Sequence, residues 1–225
     1  MPPFKAIPHD ITPEVAVQLL KEGNFRFVNN LKLNRDLLEQ VNATKDGQWP
    51  FAAILSCMDS RTSAELIFDQ GLGDIFSVRI AGNIISPGIL GSLEFATAVA
   101  GSKLILVLGH TNCGAIKGAC DNVQLGYLSG LLEKIKPAVE QENTISENRT
   151  SKNLEFVDKV ALLNAFHSAE QILEQSSIIR DLVNKHEVGI AAGIYDVATG
   201  LVSFYEVSSA PKIQSVKNSA EVISE

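Results

Sequence analysis

Between Phe51 and Gly109, short apolar runs alternate with amphipathic stretches. Phe51–Ser56, Asp74–Arg79 and Lys103–Gly109 predict strands, and the near-continuous apolar character of the last suits a strand covered on both faces. Between them the pattern predicts a short helix over Ala64–Asp69, ended by Gly71-Leu72-Gly73. A small-residue helix from Ile89 to Ala100 follows Ser86-Pro87-Gly88. Alternation of this kind predicts a parallel sheet with right-handed crossovers. Further on, residues 123–140 and 152–185 read as helices, separated by a polar stretch, Glu142–Asn153, expected to be an exposed loop. Val188–Tyr195 and Leu201–Val207, joined by Asp196–Gly200, predict a hairpin at a sheet edge.

The N-terminal segment reads differently. Thr12-Pro13-Glu14 is a helix start, with a capping hydroxyl, proline in the first turn and an early acid. Val15, Leu19 and Leu20 give that helix an apolar face and Gly23 a stop, and a second helical stretch covers Asp36–Val41. So small an arm cannot bury both faces alone, so it is expected to lie against the main body or a partner subunit. The fold class expected is α/β: a mainly parallel central sheet with flanking helices, an N-terminal helical arm and a C-terminal edge hairpin. One domain is expected over 1–225, with an arm at 1–45, a core at 46–210 and a polar tail at 211–225.

Composition narrows the function. A chain of 225 residues can bury a substantial core, and 45% hydrophobic with 20% charged residues is ordinary for a globular protein. No apolar run approaches the roughly 18 residues of a membrane span. Met1–Asp10 holds three prolines and no apolar core of a signal peptide, so cytoplasmic residence is the expectation. A net charge of -7 without a basic stretch argues against nucleic acid as a partner.

The chemistry gathers in two short motifs, Cys57-Met58-Asp59-Ser60-Arg61 and His110-Thr111-Asn112-Cys113. Each follows the carboxyl end of a predicted strand, where sites of open α/β sheets collect. Cys57, His110 and Cys113 form a soft donor set that suits zinc, and three protein ligands leave a position for a reactive water. The competing readings are two small buried hydrophobes, a closed structural zinc lacking its fourth Cys or His, and a redox dithiol lacking C-x-x-C. Cys120, seven residues past Cys113, fits neither motif and reads as a packing or surface residue. His9, His167 and His186 read as helix-surface or locally satisfied residues rather than ligands.

C-x-D-x-R followed by H-x-x-C-G resembles the β-class carbonic anhydrases. Gly23-Asn24-Phe25-Arg26-Phe27, Val78-Arg79-Ile80-Ala81-Gly82-Asn83 and Gly91-Ser92-Leu93-Glu94-Phe95 carry the resemblance along nearly the whole chain. It implies one zinc per subunit held by Cys57, His110 and Cys113, with water, hydroxide or Asp59 as fourth ligand. It also implies a homodimer or homotetramer with active sites near the subunit interface. Gln48, nine residues before Cys57, matches a substrate-orienting glutamine, and Phe76, Ala81 and Phe95 align with an apolar carbon dioxide pocket. Some bacterial members carry Trp three residues before the first Cys, within a non-catalytic bicarbonate site. Ile54 stands there, so the resemblance does not extend to that site, although Arg79 matches its arginine.

The activity implied is reversible hydration of carbon dioxide to bicarbonate and a proton by zinc-bound hydroxide. Two thiolates cancel the zinc charge, so bound water would be acidified less than at a three-histidine zinc. Asp59 and Arg61 are therefore the expected catalytic pair: clamped by Arg61, Asp59 stays off the metal and accepts a hydrogen bond from the nucleophile. Carbon disulfide or carbonyl sulfide hydrolysis on the same fold is the nearest alternative, and a non-catalytic zinc-binding protein a more distant one.

Overall fold

β1 (Ala52–Ser56) and β3 (Leu104–His110) are buried at every position, as their apolar runs require. They pair in parallel at the centre of a five-stranded sheet in the computed structural model, which describes residues 11–207. The strand order is β2-β1-β3-β4-β5, where β2 is Ile75–Arg79, β4 Gly189–Tyr195 and β5 Val202–Glu206. β2, β1, β3 and β4 run parallel, and β5 returns antiparallel as the expected edge hairpin.

Side chains alternate between the two faces of the sheet. Ala52, Ile54, Leu104, Leu106 and Leu108 pack under α1 (Pro13–Val28) and α3 (Ala64–Ile67). Ala53, Leu55, Ile105 and Val107 pack against α4 (Pro87–Glu94), α8 (Leu154–Gln175) and α9 (Ser177–Asn184). α8 starts at Asn153, whose side chain accepts from the Phe156 amide at 3.3 Å. Its buried positions, from Phe156 and Val157 through Val160, Ala161, Asn164, Ala165, Ser168 and Ala169 to Ile172, recur at helical spacing. A third cluster joins the first half of α8 to α5 (Gly114–Cys120), α6 (Gly126–Leu132) and α7 (Lys136–Gln141), and it encloses Cys57 and Cys113.

Several expectations are corrected. The helix expected over Ile89–Ala100 starts at Pro87 and widens to a π-helical turn over Phe95–Val99. α5 is a helix beyond the expected elements, and residues 123–140 divide into α6 and α7, since Glu133–Ile135 forms turns between them. The polar loop after α7 is anchored rather than simply exposed. Glu142 is buried, and Arg149 donates to its Oε2 at 3.0 Å and to the Val139 carbonyl at 2.7 Å while lying 4.6 Å from the Phe156 ring. The polar tail 211–225 and His9 lie outside the described residues.

Of the arm, α1 lies on the chain's own core, while Leu37, Leu38 and Val41 of the second helix are exposed. α2 (Leu37–Thr44) is capped by Asp36 and follows α1 through an extended segment. Gly23 does not stop α1. It lies inside the helix, where a Cβ would sit 1.8 Å from the Phe68 carbonyl oxygen, so its role is close approach to α3. Val15 is exposed, and Ala16 and Leu20 supply the buried contact. Asn24 is buried beside it and binds the Ile67 and Gly200 carbonyls and the Val202 amide, tying α1 to the hairpin. Asp69 receives Arg26 and Arg35, each at 2.5 Å, and the Leu33 amide at 3.2 Å. Burial works against its charge, but these hydrogen bonds hold its carboxyl below the usual range.

Two stability changes follow. Gly23→Ala should cost about 3 kcal/mol, because carbonyl and methyl cannot share that space; an unchanged urea midpoint would contradict the contact. Asp69→Asn should cost roughly 3 kcal/mol near pH 7, where the carboxylate is ionised in both states. A depressed pKa stabilises above the unfolded value and loses that contribution as pH falls through the folded one. The gap between wild type and variant should therefore shrink below about pH 4 in urea titrations at several pH values.

Candidate metal centre

The parallel register sets Ser56 beside Leu108, so Cys57 and His110 leave adjacent strands on neighbouring paths. His110 is the last residue of β3, opposite Tyr195 of β4. The chain then turns through Asn112, whose positive φ of 58° suits asparagine. Three interactions hold this turn. The Thr111 amide donates to the Tyr195 carbonyl at 3.0 Å, the Val197 amide to Thr111 Oγ1 at 3.0 Å, and the Asn112 amide to Asp158 Oδ1 on α8 at 2.8 Å. Lys117 Nζ donates to the Asn112 side chain. Cys113 follows as the cap of α5.

The ligand atoms of Cys57, His110 and Cys113 lie within 4.8 Å of one another, all three buried. The two sulfurs are 3.9 Å apart, and the Gly82 amide donates to Cys57 Sγ at 3.4 Å. His110 is 1% exposed. Its Nδ1 lies 2.9 Å from the Thr111 carbonyl, while Nε2 is buried with no hydrogen-bond partner among the described residues. An imidazole fixed through one nitrogen, with the other orphaned beside two thiols, is the arrangement a metal-ligating histidine takes. The donor set fits zinc on chemistry as well as on position.

The thiols titrate as a pair. The hydrogen bond from Cys113 stabilises a Cys57 thiolate and pulls that group well down, while the shared hydrogen and burial push Cys113 up. One proton leaves readily and the second reluctantly, so a divalent cation is the natural replacement for both.

Asp59 stands at the edge of this cluster, with Oδ2 4.0 Å from His110 Nε2. Arg61 grips both carboxylate oxygens, Nε on Oδ1 at 2.9 Å and Nη2 on Oδ2 at 2.8 Å, and its amide adds a bond to Oδ1 at 3.0 Å. These bonds hold the Asp59 carboxyl far below the usual range. The connecting backbone is held from below: Thr62 Oγ1 lies 2.9 Å from the Cys57 and Asp59 carbonyls. Arg79 donates to the same two carbonyls at 3.1 and 2.6 Å.

The four residues expected around the substrate are not gathered within one chain. Phe76 and Phe95 meet edge to face, with centroids 6.2 Å apart, along an open groove of about 680 Å³ that Arg79 also lines. Ala81 begins the one-turn helix Ala81–Asn83 beside Cys57's donor Gly82. Gln48 is exposed and lines a separate groove with Thr44, Asp46 and Gly73. Cys120 is half-buried in the third cluster, where burial pushes its thiol up to about 11. His167 contacts Gln171 on α8, and His186 is exposed after α9. The sequence reading missed Thr62, Asp158 and Asn164 and the loop-holding role of Arg79. All four act on backbone groups, which leave no spacing signal.

Among the described residues no helix is long and apolar enough to cross a membrane. A family model described as carbonic anhydrase matches residues 52–202. Carbonic anhydrase 2 of Mycobacterium tuberculosis is 43% identical over 133 residues, covering 56% of this chain and 64% of that protein. A carbonic anhydrase of Synechococcus elongatus is 32% identical over 178 residues, 75% of this chain and 64% of the relative. The matched segments thus span about 64% of these relatives' length. The β-carbonic anhydrase CafA of Aspergillus fumigatus superposes with a TM-score of 0.68 at 25% identity, covering 88% of this chain and 92% of that one. With residues 52–202 matched and the Cys57, His110 and Cys113 side chains assembled on this sheet, the chain belongs to the β-class carbonic anhydrase family.

Proposed function

We propose that this protein is a zinc enzyme that reversibly hydrates carbon dioxide to bicarbonate and a proton. The observation that carries this reading is the buried Cys57–His110–Cys113 triad with an ionised Asp59 held at its edge by Arg61. Zinc bound there would supply the positive charge that makes hydroxide available from water near neutral pH.

The protein's own groups do the rest. Asp59, kept anionic by the Arg61 fork, is an acceptor-only group that orients the attacking water and takes its hydrogen bond. With Oδ2 4.0 Å from His110 Nε2, that acceptor stands beside the metal-binding cluster. Arg61 sets the balance. A free carboxylate would compete for the cation, and the bidentate guanidinium opposes this with two charge-assisted bonds. Phe76, Ala81 and Phe95 are assigned to an apolar surface for uncharged carbon dioxide, and Gln48 to orienting it by hydrogen bonding. Because these four are scattered within one chain, the assignment includes a homodimer or homotetramer whose neighbouring subunit helps complete the pocket. The outer edge of β2, unpaired among the described residues, and the exposed Phe95 and Val99 offer a surface for it. Cytoplasmic residence is part of the same reading.

Cys57→Ala and His110→Ala should each lose zinc by metal analysis and lose carbon dioxide hydration in stopped flow. Full hydration by a zinc-free variant would refute the reading, and activity on carbon disulfide or carbonyl sulfide alone, measured in parallel, would change the substrate. Arg61→Ala should keep its zinc yet lose at least about tenfold in hydration. A zinc-loaded crystal of this variant should then show the Asp59 carboxylate on the metal, whereas open water coordination would refute the clamp.

A further inference from the structure

Asn164 is a polar side chain in an apolar setting. It lies on the buried face of α8 between Ala161 and Ala165 and is 1% exposed. Its Oδ1 has no hydrogen-bond partner among the described residues, so burial there is unfavourable unless the other end of the amide is needed. That end, Nδ2, donates to the Gly82 carbonyl at 2.8 Å. Gly82 in turn directs its own N–H at Cys57 Sγ.

The Gly82 backbone is suited to holding that amide in place. Its φ of 65° lies in the left-handed region, and a Cβ would come within 2.7 Å of Ile135 Cδ1 and 3.2 Å of the Ala115 Cβ. Glycine is therefore needed, and glycine is also the residue with the most backbone freedom to lose. The neighbouring Asn83 amide bonds the Ile80 carbonyl at 3.0 Å, which fixes the turn from one side. Asn164 fixes it from the other, through a contact across 82 residues of sequence.

We propose that Asn164 is a positioning residue for the Cys57 thiolate, acting through the Gly82 amide. The inference rests on the reading of Cys57 as a metal ligand. An N–H directed at sulfur fixes the lone-pair direction and withdraws charge from one of two thiolates around a single dication. A metal bound there would be more electropositive than with a bare Cys2His set, offsetting part of the charge cancellation expected from two thiolates. Outer partners of this kind orient ligands and tune the metal they hold.

The test loads the full-length protein with cadmium-113 and measures scalar coupling between the metal and amide protons. In wild type a coupling to the Gly82 amide proton is expected, and its absence in a protein holding one equivalent of cadmium overturns the proposal. Asn164→Ala, folded by circular dichroism, should weaken that coupling and raise the zinc dissociation constant about tenfold in chelator competition. Wild-type coupling and affinity in the folded variant overturn the role of Asn164. If Asn164→Ala does not fold, Asn164→Ser, too short to reach the Gly82 carbonyl, takes the same measurements, and the wild-type coupling stands as an independent arbiter. A wild-type protein that takes up neither cadmium nor zinc overturns this inference together with the metal reading beneath it, whereas metal uptake without coupling overturns this inference alone.

Discussion

The parallel pairing of β1 with β3 is the constraint on which the rest depends. Both strands are buried on both faces, and the period of a strand is two residues. A one-residue slip would exchange the α1 and α3 face for the α4 and α8 face along the whole strand. With Ser56 fixed beside Leu108, the loop carrying Cys57 and the end of β3 carrying His110 are delivered to the same carboxyl end of the sheet. The site inherits its precision from packing that has no chemistry of its own.

Around that end the charges are arranged in layers. The interior layer holds two thiols 3.9 Å apart and an imidazole, surrounded by the apolar side chains of α5, α7 and α8. Two adjacent negative charges cannot be left there unpaired, because a buried charge needs a partner. The outer layer is the Asp59–Arg61 pair, more exposed and bidentate. Arg79 and Thr62 hold the backbone between the layers through carbonyl oxygens. The thiols and the carboxylate are thus kept on two separate supports, the thiols buried and the carboxylate paired with a guanidinium.

Where the sequence was legible, the signal was local. The strand runs, the Thr12 cap and the Asp196–Gly200 hairpin depend on neighbours within a few residues, and each was found within a residue or two of its expected bounds. Where it was misread, a specific contact that the hydrophobic pattern does not encode had replaced the expected meaning. Gly23 looks like a helix stop, yet it is a notch for the Phe68 carbonyl. Glu142 looks like solvent-facing polarity, yet Arg149 bends back to bury it. The turns between Leu132 and Lys136 interrupt an apolar pattern that periodicity alone reads as one helix.

By itself the sequence determined the donor types, the α/β class and the family likeness, because chemistry and hydrophobic period are properties of residues and their spacing. Only the tertiary structure decided how those donors are held. The Arg61 fork, the Arg79 grip on two carbonyls, the Asp158 bond to the Asn112 amide and the Asn164 bond to Gly82 are directional interactions. Most of them join residues far apart in sequence, and most end on backbone atoms. Backbone atoms are the same at every position, so no sequence pattern marks them, and only folding brings a particular side chain to a particular carbonyl or amide.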